Sequence, residues 1–126
     1  MLMPVMGRIS SLFGNRRHPK TRKPQFHTGI DIVARKGTPI KSARAGKVSF
    51  TGWRRGYGLM VIVDHANGMQ TVYAHCSKVA VKSGQMVNSG QRIAYVGSTG
   101  VATGSHLHFE VRRNGNVRNP FRYLDR

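Results

Sequence analysis

Acidic residues are almost missing from this chain. Asp31, Asp64, Glu110 and Asp125 are the only carboxylate side chains in 126 residues, against 21 lysines and arginines, a formal charge of +17. Such a surface seeks anionic polymers, whether nucleic acid, teichoic acid, anionic lipid or the carboxylates of a bacterial wall. Cysteine is nearly absent too. Cys76 stands alone, which excludes an internal disulfide and a structural zinc site closed by several thiolates. As a nucleophile it would need a histidine facing it, but its neighbour His75 would point to the opposite side of a strand, so it reads as a small, half-buried apolar residue. No apolar run is long enough to span a bilayer. The opening MLMPVMGRISSLFG is too short, and too broken by Pro4, Gly7 and Arg8, to form a signal-peptide core. A convincing helical stripe, an internal repeat and a low-complexity tract are also missing.

What remains is β-type patterning cut short by 15 glycines and five prolines. GIDIVA, KVSF, LMVIVDH, MQTVYAH, RIAYVG and LHFEVRR are alternating or β-branched runs. Turns are expected at 36–39, 83–84, 88–90 and 114–116. Asn67-Gly68 predicts a two-residue type I′ hairpin that would pair His65 with Gln70 and Met60 with His75. The pattern predicts a single all-β domain over residues 1–126, a compact barrel or sandwich. The basic segment RRHPKTRKPQ, residues 16–25, is expected to be a mobile loop.

Two constellations carry chemistry. In FHTGIDI, His27 and Asp31 lie four residues apart, an even spacing that puts both on one face of an extended segment. In GSHLHFEV, His106 and His108 also share a face, roughly 6–7 Å apart along the backbone. Two imidazoles and a carboxylate form a three-ligand set suited to Zn²⁺ with a fourth position left for water, as in catalytic sites. Each motif alone occurs by chance, and a lone strand histidine is more often simply hydrogen-bonded; the two together point to metal. The HExxH motif that supplies a glutamate base in many zinc peptidases is missing. The acid–base candidates are therefore His75 and whichever of His106 and His108 does not bind metal. Glu110 shares their face and could either orient a ligand or pair with a neighbouring arginine.

HTGID, YAH and SHLHFEV, in this order and separated by glycine-rich GWRRGYG and VGSTG, closely resemble the lysostaphin-type (LytM-like) zinc endopeptidases of bacterial cell walls. The resemblance runs from about PVMGRISSLFGNRRHP to NPFRYL. It implies an antiparallel all-β core of the barrel-sandwich hybrid kind, with loops walling a substrate groove. It implies one zinc per chain held by His27, Asp31 and His108, with His75 and His106 as the catalytic histidines. The implied activity is hydrolysis of a peptide bond in peptidoglycan, with a D-alanyl to diaminopimelate cross-link favoured over a glycine bridge. The implied setting is the bacterial cell envelope, for a monomeric domain excised from, or C-terminal in, a longer exported protein. Cys76 departs from the leucine that usually follows YAH.

Some members of that family have lost ligands and only activate other wall hydrolases; here every signature position is filled. A nucleic-acid binder has charge alone in its favour, since its basic residues are scattered and little interleaved with aromatics. VKSGQMVNSGQRIAYVG resembles half of a biotin or lipoyl carrier barrel, yet the tip at Asn67-Gly68 offers no lysine. His18 and His65 read as solvated or locally bonded, Tyr73 and Tyr95 as core, and VGSTG as a groove-wall turn.

Overall fold

The computed structural model describes residues 1–17, 21–100, 102 and 104–125. Their strands, in chain order, are β1 (Arg8–Ser11), β2 (Gly14–Arg17), β3 (Pro24–His27), β4 (Ile30–Val33), β5 (Pro39–Lys41), β6 (Gly46–Arg54), β7 (Gly58–Asp64), β8 (Met69–Val79), β9 (Met86–Val87), β10 (Arg92–Val96), β11 (His106–Arg113) and β12 (Asn116–Arg118). Two 3-10 turns, at Ala66–Gly68 and Pro120–Arg122, are the only helical elements among the described residues. No helix among them is long and apolar enough to cross a membrane.

The large antiparallel sheet runs β1-β4-β11-β8-β7-β6-β9, with β12 on β11 and β10 joining β5 to β8. Its organiser is β8. One edge pairs with β7; the other pairs with β11 as far as Ala74 and with β10 from Cys76 onward. A strand that changes partner midway directs two arms of sheet around one interior. That interior holds Ile30, Ile32, Tyr73, Leu107 and Phe109, all fully buried. A smaller apolar cluster of Met60, Ile62, Val72 and Ala74 lies on the opposite face, with Phe50 and Tyr57 packed on it. The alternation along β11 thus separates Leu107, Phe109 and Val111, in the main core, from His106, His108 and Glu110 on the other side.

All six β-type runs in the sequence form strands, and Gly37, Gly84, Gly90 and Gly115 turn the chain with positive φ where turns are expected. Other expectations need correction. The 67–68 hairpin closes through three residues, not two. His65 N–H bonds the Met69 carbonyl, Asn67 and Gly68 both adopt positive φ, and Asp64 pairs with Gln70. Ala66 enters the loop because its 3-10 geometry leads into the left-handed Asn67. The segment 16–25 is not wholly a loop. Its ends belong to the β2–β3 ribbon, with Arg17 opposite Pro24, while His18 lies outside the described residues. Tyr73 is core, but Tyr95 is only half-buried, facing Arg92. Cys76 is fully rather than half buried, and that burial pushes its thiol up to about 12, which leaves it inert at neutral pH.

Candidate metal centre

The centre assembles where β3, β4 and β11 meet. His27 ends β3, Gly29 follows, and Asp31 sits on β4 directly opposite His108 of β11. Gly29 is required by space: any Cβ there would collide with the Phe109 carbonyl oxygen and the Glu110 side chain. The ligand-type atoms of His27, Asp31 and His108 all lie within 4.8 Å of one another. The Asp31 Oδ1 is the focus: His108 Nδ1 is 2.9 Å away, His27 Nε2 3.3 Å and His106 Nε2 3.9 Å.

Every one of these imidazoles has its other nitrogen occupied. His27 Nδ1–H donates to the Leu12 carbonyl at 2.9 Å, and His106 Nδ1–H to the Gly104 carbonyl at 2.9 Å. His75 Nδ1–H donates to the Thr99 carbonyl at 2.6 Å. His108 holds Glu110 Oε2 through Nε2 at 2.8 Å. A carbonyl oxygen can only accept, so in the neutral rings of His27, His75 and His106 the lone pair is on Nε2. Contacts of this kind fix ring orientation and tautomer in metal-binding histidines.

Glu110 resolves the two roles left open for it by taking both. It is fully buried, and it gathers four donors: His108, Thr28 Oγ1 at 2.6 Å, the Tyr57 hydroxyl at 2.9 Å and the Arg112 guanidinium at 2.8–2.9 Å. Arg112 also reaches the Tyr57 hydroxyl at 3.1 Å. Burial alone would raise the Glu110 carboxyl, but the His108 hydrogen bond and charge, with Thr28 and Arg112, hold it at about 2. Burial would likewise raise Asp31, and His108 and His27 outweigh it, keeping the group well below the usual carboxylate range. His108 shows the converse: burial would lower it, but its bonds to Asp31 and Glu110 raise it to about 9. Two carboxylates around one imidazole demand a positive charge, which a proton supplies in the absence of metal. Two imidazoles and a carboxylate oxygen meeting around one point fit a borderline divalent ion such as zinc.

His75 reaches the centre by a different route. Between Tyr73, opposite Val61, and Cys76, opposite Leu59, β8 carries one residue more than β7. The backbone of His75 is left-handed, φ 63°, and its N–H bonds the Tyr57 carbonyl at 2.9 Å. Tyr73 and Cys76 both enter the main core. Regular alternation from Tyr73 would send His75 there also; the bulge turns it to the other face, 4.9 Å from the His106 ring and 6.0 Å from that of His108, centroid to centroid. Burial lowers the affinity of His75 for a proton, so the ring is neutral at neutral pH. Thr99, read only as part of a turn, holds this arrangement. Its carbonyl orients His75, while its hydroxyl donates to the Cys76 carbonyl and accepts from Leu59 N–H. A threonine between the two glycines of GSTG, able to satisfy strand backbone, was the available signal. His65 is hydrogen-bonded away from the centre, across its own hairpin to Thr71 as expected but also to the Ala45 carbonyl 20 residues away.

The five predicted site residues are thus brought together. Comparison with known proteins places this assembly in context. The DD-carboxypeptidase/endopeptidase Mpg of Neisseria meningitidis is 47% identical over 116 residues, covering 92% of this chain and 27% of that protein. The chain spans about a quarter of the length of the curated relatives it matches first. Among solved structures, a zinc-containing peptidase from Vibrio cholerae superposes with a TM-score of 0.86 at 37% identity, over 92% of this chain and 37% of that one. The catalytic domain of lysostaphin from Staphylococcus simulans gives 0.84 at 30% identity, over 93% and 91%. The sequence pattern of peptidase family M23 matches residues 25–120. That stretch includes His27, Asp31, His75, His106 and His108, and the chain belongs to peptidase family M23.

Proposed function

We propose that this chain is a zinc-dependent endopeptidase of peptidoglycan acting in the bacterial cell envelope. The observation that carries the reading is the convergence of His27, Asp31 and His108 with two further imidazoles whose free nitrogens are set by backbone carbonyls. His27 Nε2, Asp31 Oδ1 and His108 Nδ1 would hold the ion, the last freed for it by the Nε2 bond to Glu110. A zinc ion there supplies Lewis-acid activation of the attacking water and the scissile carbonyl. His75, neutral and aimed by Thr99, accepts a proton at Nε2. His106 Nε2, once protonated, donates to the developing oxyanion or the leaving amine. Because these two rings stand beside each other, one can accept while the other donates. The names of the Neisseria relative and of further relatives described as peptidoglycan DD-endopeptidases favour a D-alanyl to diaminopimelate cross-link as the scissile bond.

The test is fragment release from purified sacculi. Chelator treatment should abolish it and zinc restore it, and His106→Ala should stop it while the protein still carries one zinc. Mass spectrometry of the fragments identifies the bond. Zinc uptake with no new amino termini would reject hydrolysis in favour of a wall-binding activator.

A further inference from the structure

The other end of β11 carries a feature the hydrolytic centre does not use. Beyond Arg113 the chain turns through Asn114 into β12 and then the 3-10 turn Pro120–Arg122. These pieces border an open depression of about 630 Å³ lined by Arg113, Arg118 and Arg122 together with Asn114, Phe13 and Tyr123. All three arginines are exposed, and none forms an ion pair with a described residue. Among the described residues no carboxylate side chain lines the cavity. Asp125, the nearest acid in sequence, is engaged instead with the chain's amino group at 3.6 Å. Three exposed guanidiniums lining one concavity, with no described carboxylate partner, concentrate positive potential there, and their planar forks match carboxylate geometry.

The position of the cavity is informative. It lies five residues along β11 from His108, about 17 Å. Phe13 links the two regions: it lines the cavity, packs edge-on against Phe26 at 5.2 Å, and follows Leu12, whose carbonyl holds His27. By the alternation of β11, Arg113 falls on the face of Phe109 and Val111 rather than that of His108, so a polymer with repeated carboxylates would reach both places by passing from one face of the sheet to the other.

We propose that this arginine pocket is a second binding site that takes free carboxylates of peptidoglycan stem peptides, tethering the wall while a neighbouring peptide enters the metal centre. The identity of the polymer rests on the function proposed above; the pocket itself does not. The test is co-sedimentation with purified sacculi in a His106→Ala background, which keeps the sacculi intact. Arg113→Gln/Arg118→Gln/Arg122→Gln is compared with Arg35→Gln/Arg44→Gln/Lys82→Gln, which removes the same charge from exposed positions elsewhere. The pocket variant should bind about tenfold or more weakly than the control variant at equal melting temperature. Amidating the sacculus carboxylates with carbodiimide should erase that difference. Equal weakening of both variants would overturn the proposal by reducing it to overall charge. A difference that survives amidation would overturn it by pointing to phosphate as the ligand. Failure of the parent chain to release fragments would instead count against the hydrolase reading, and leaves this binding comparison intact.

Discussion

β11 and β8 each deliver histidine to the same centre, and they do so by opposite means. β11 is regular. Its alternation alone puts His106, His108 and Glu110 on one face and Leu107, Phe109 and Val111 on the other. β8 is broken at the position that matters: an inserted residue forces His75 into the left-handed region, costing about 1–2 kcal/mol of backbone strain. A regular strand suffices for ligands that must stack in register. A side chain that must approach the centre from a neighbouring strand at another angle needs a distortion, held here by Tyr57 and Thr99.

That contrast can be broken most severely on the regular strand. His108→Ala removes a proposed ligand and takes away the imidazole that lies between Asp31 and Glu110, leaving Glu110 to Arg112; stoichiometric zinc, measured by elemental analysis, should be lost and fragment release should fall below detection. On the bulged strand, His75→Ala should retain zinc yet lower kcat by about 10²–10⁴-fold. His75→Gly sharpens the distinction, because glycine accepts the left-handed backbone freely. It should be as inactive as His75→Ala but more stable by about 1 kcal/mol in urea unfolding. Stability of the bulge would then be separated from its chemistry.

Glu110→Gln probes what supports the regular strand from behind. The amide cannot accept from His108, Tyr57, Thr28 and Arg112 as the carboxylate does, so zinc affinity should fall about 10–100-fold by competition with a chelating dye. The smallest effect is in pH. Glu110 titrates at about 2 in the fold against 4.5 when unperturbed. A depressed acid contributes stability that is full above its unfolded value and is lost as pH falls through its folded one. In metal-free protein, the melting-temperature advantage of wild type over Glu110→Gln should therefore be complete above pH 4.5 and disappear toward pH 2. His108, raised to about 9, works in the other direction. Its contribution to the metal-free fold is full below 6.5 and is lost as pH rises through 9, whereas bound zinc, taking the place of that proton, should abolish the alkaline decline.

Much of this was open to reading in the chain. The six β runs, the turn glycines and the pairing of His27 with Asp31 all depend on local spacing, which the fold preserves. The short strands β1, β5, β9 and β12 were not legible, since two to four residues carry too little periodicity to stand apart from loop. The register of the 67–68 hairpin was misread by one residue because Asn-Gly fits either loop length. Tyr95 was assigned to the core on residue type alone, whereas an arginine covers its ring at the surface.

By itself the sequence determined which histidines and carboxylates are available to meet at the centre, and their order along the chain. Two scarce carboxylates, Asp31 and Glu110, and a pair of histidines two residues apart leave few other ways to satisfy a basic chain with so little acid. Only the tertiary structure decided which way His75 faces, which nitrogen of each ring is free, and that Glu110 serves His108 and Arg112 together. Those outcomes depend on partners 15 to 82 residues away, such as Thr99 for His75, Leu12 for His27 and Thr28 for Glu110. A backbone carbonyl brought in from another strand leaves no mark in the local pattern of side chains.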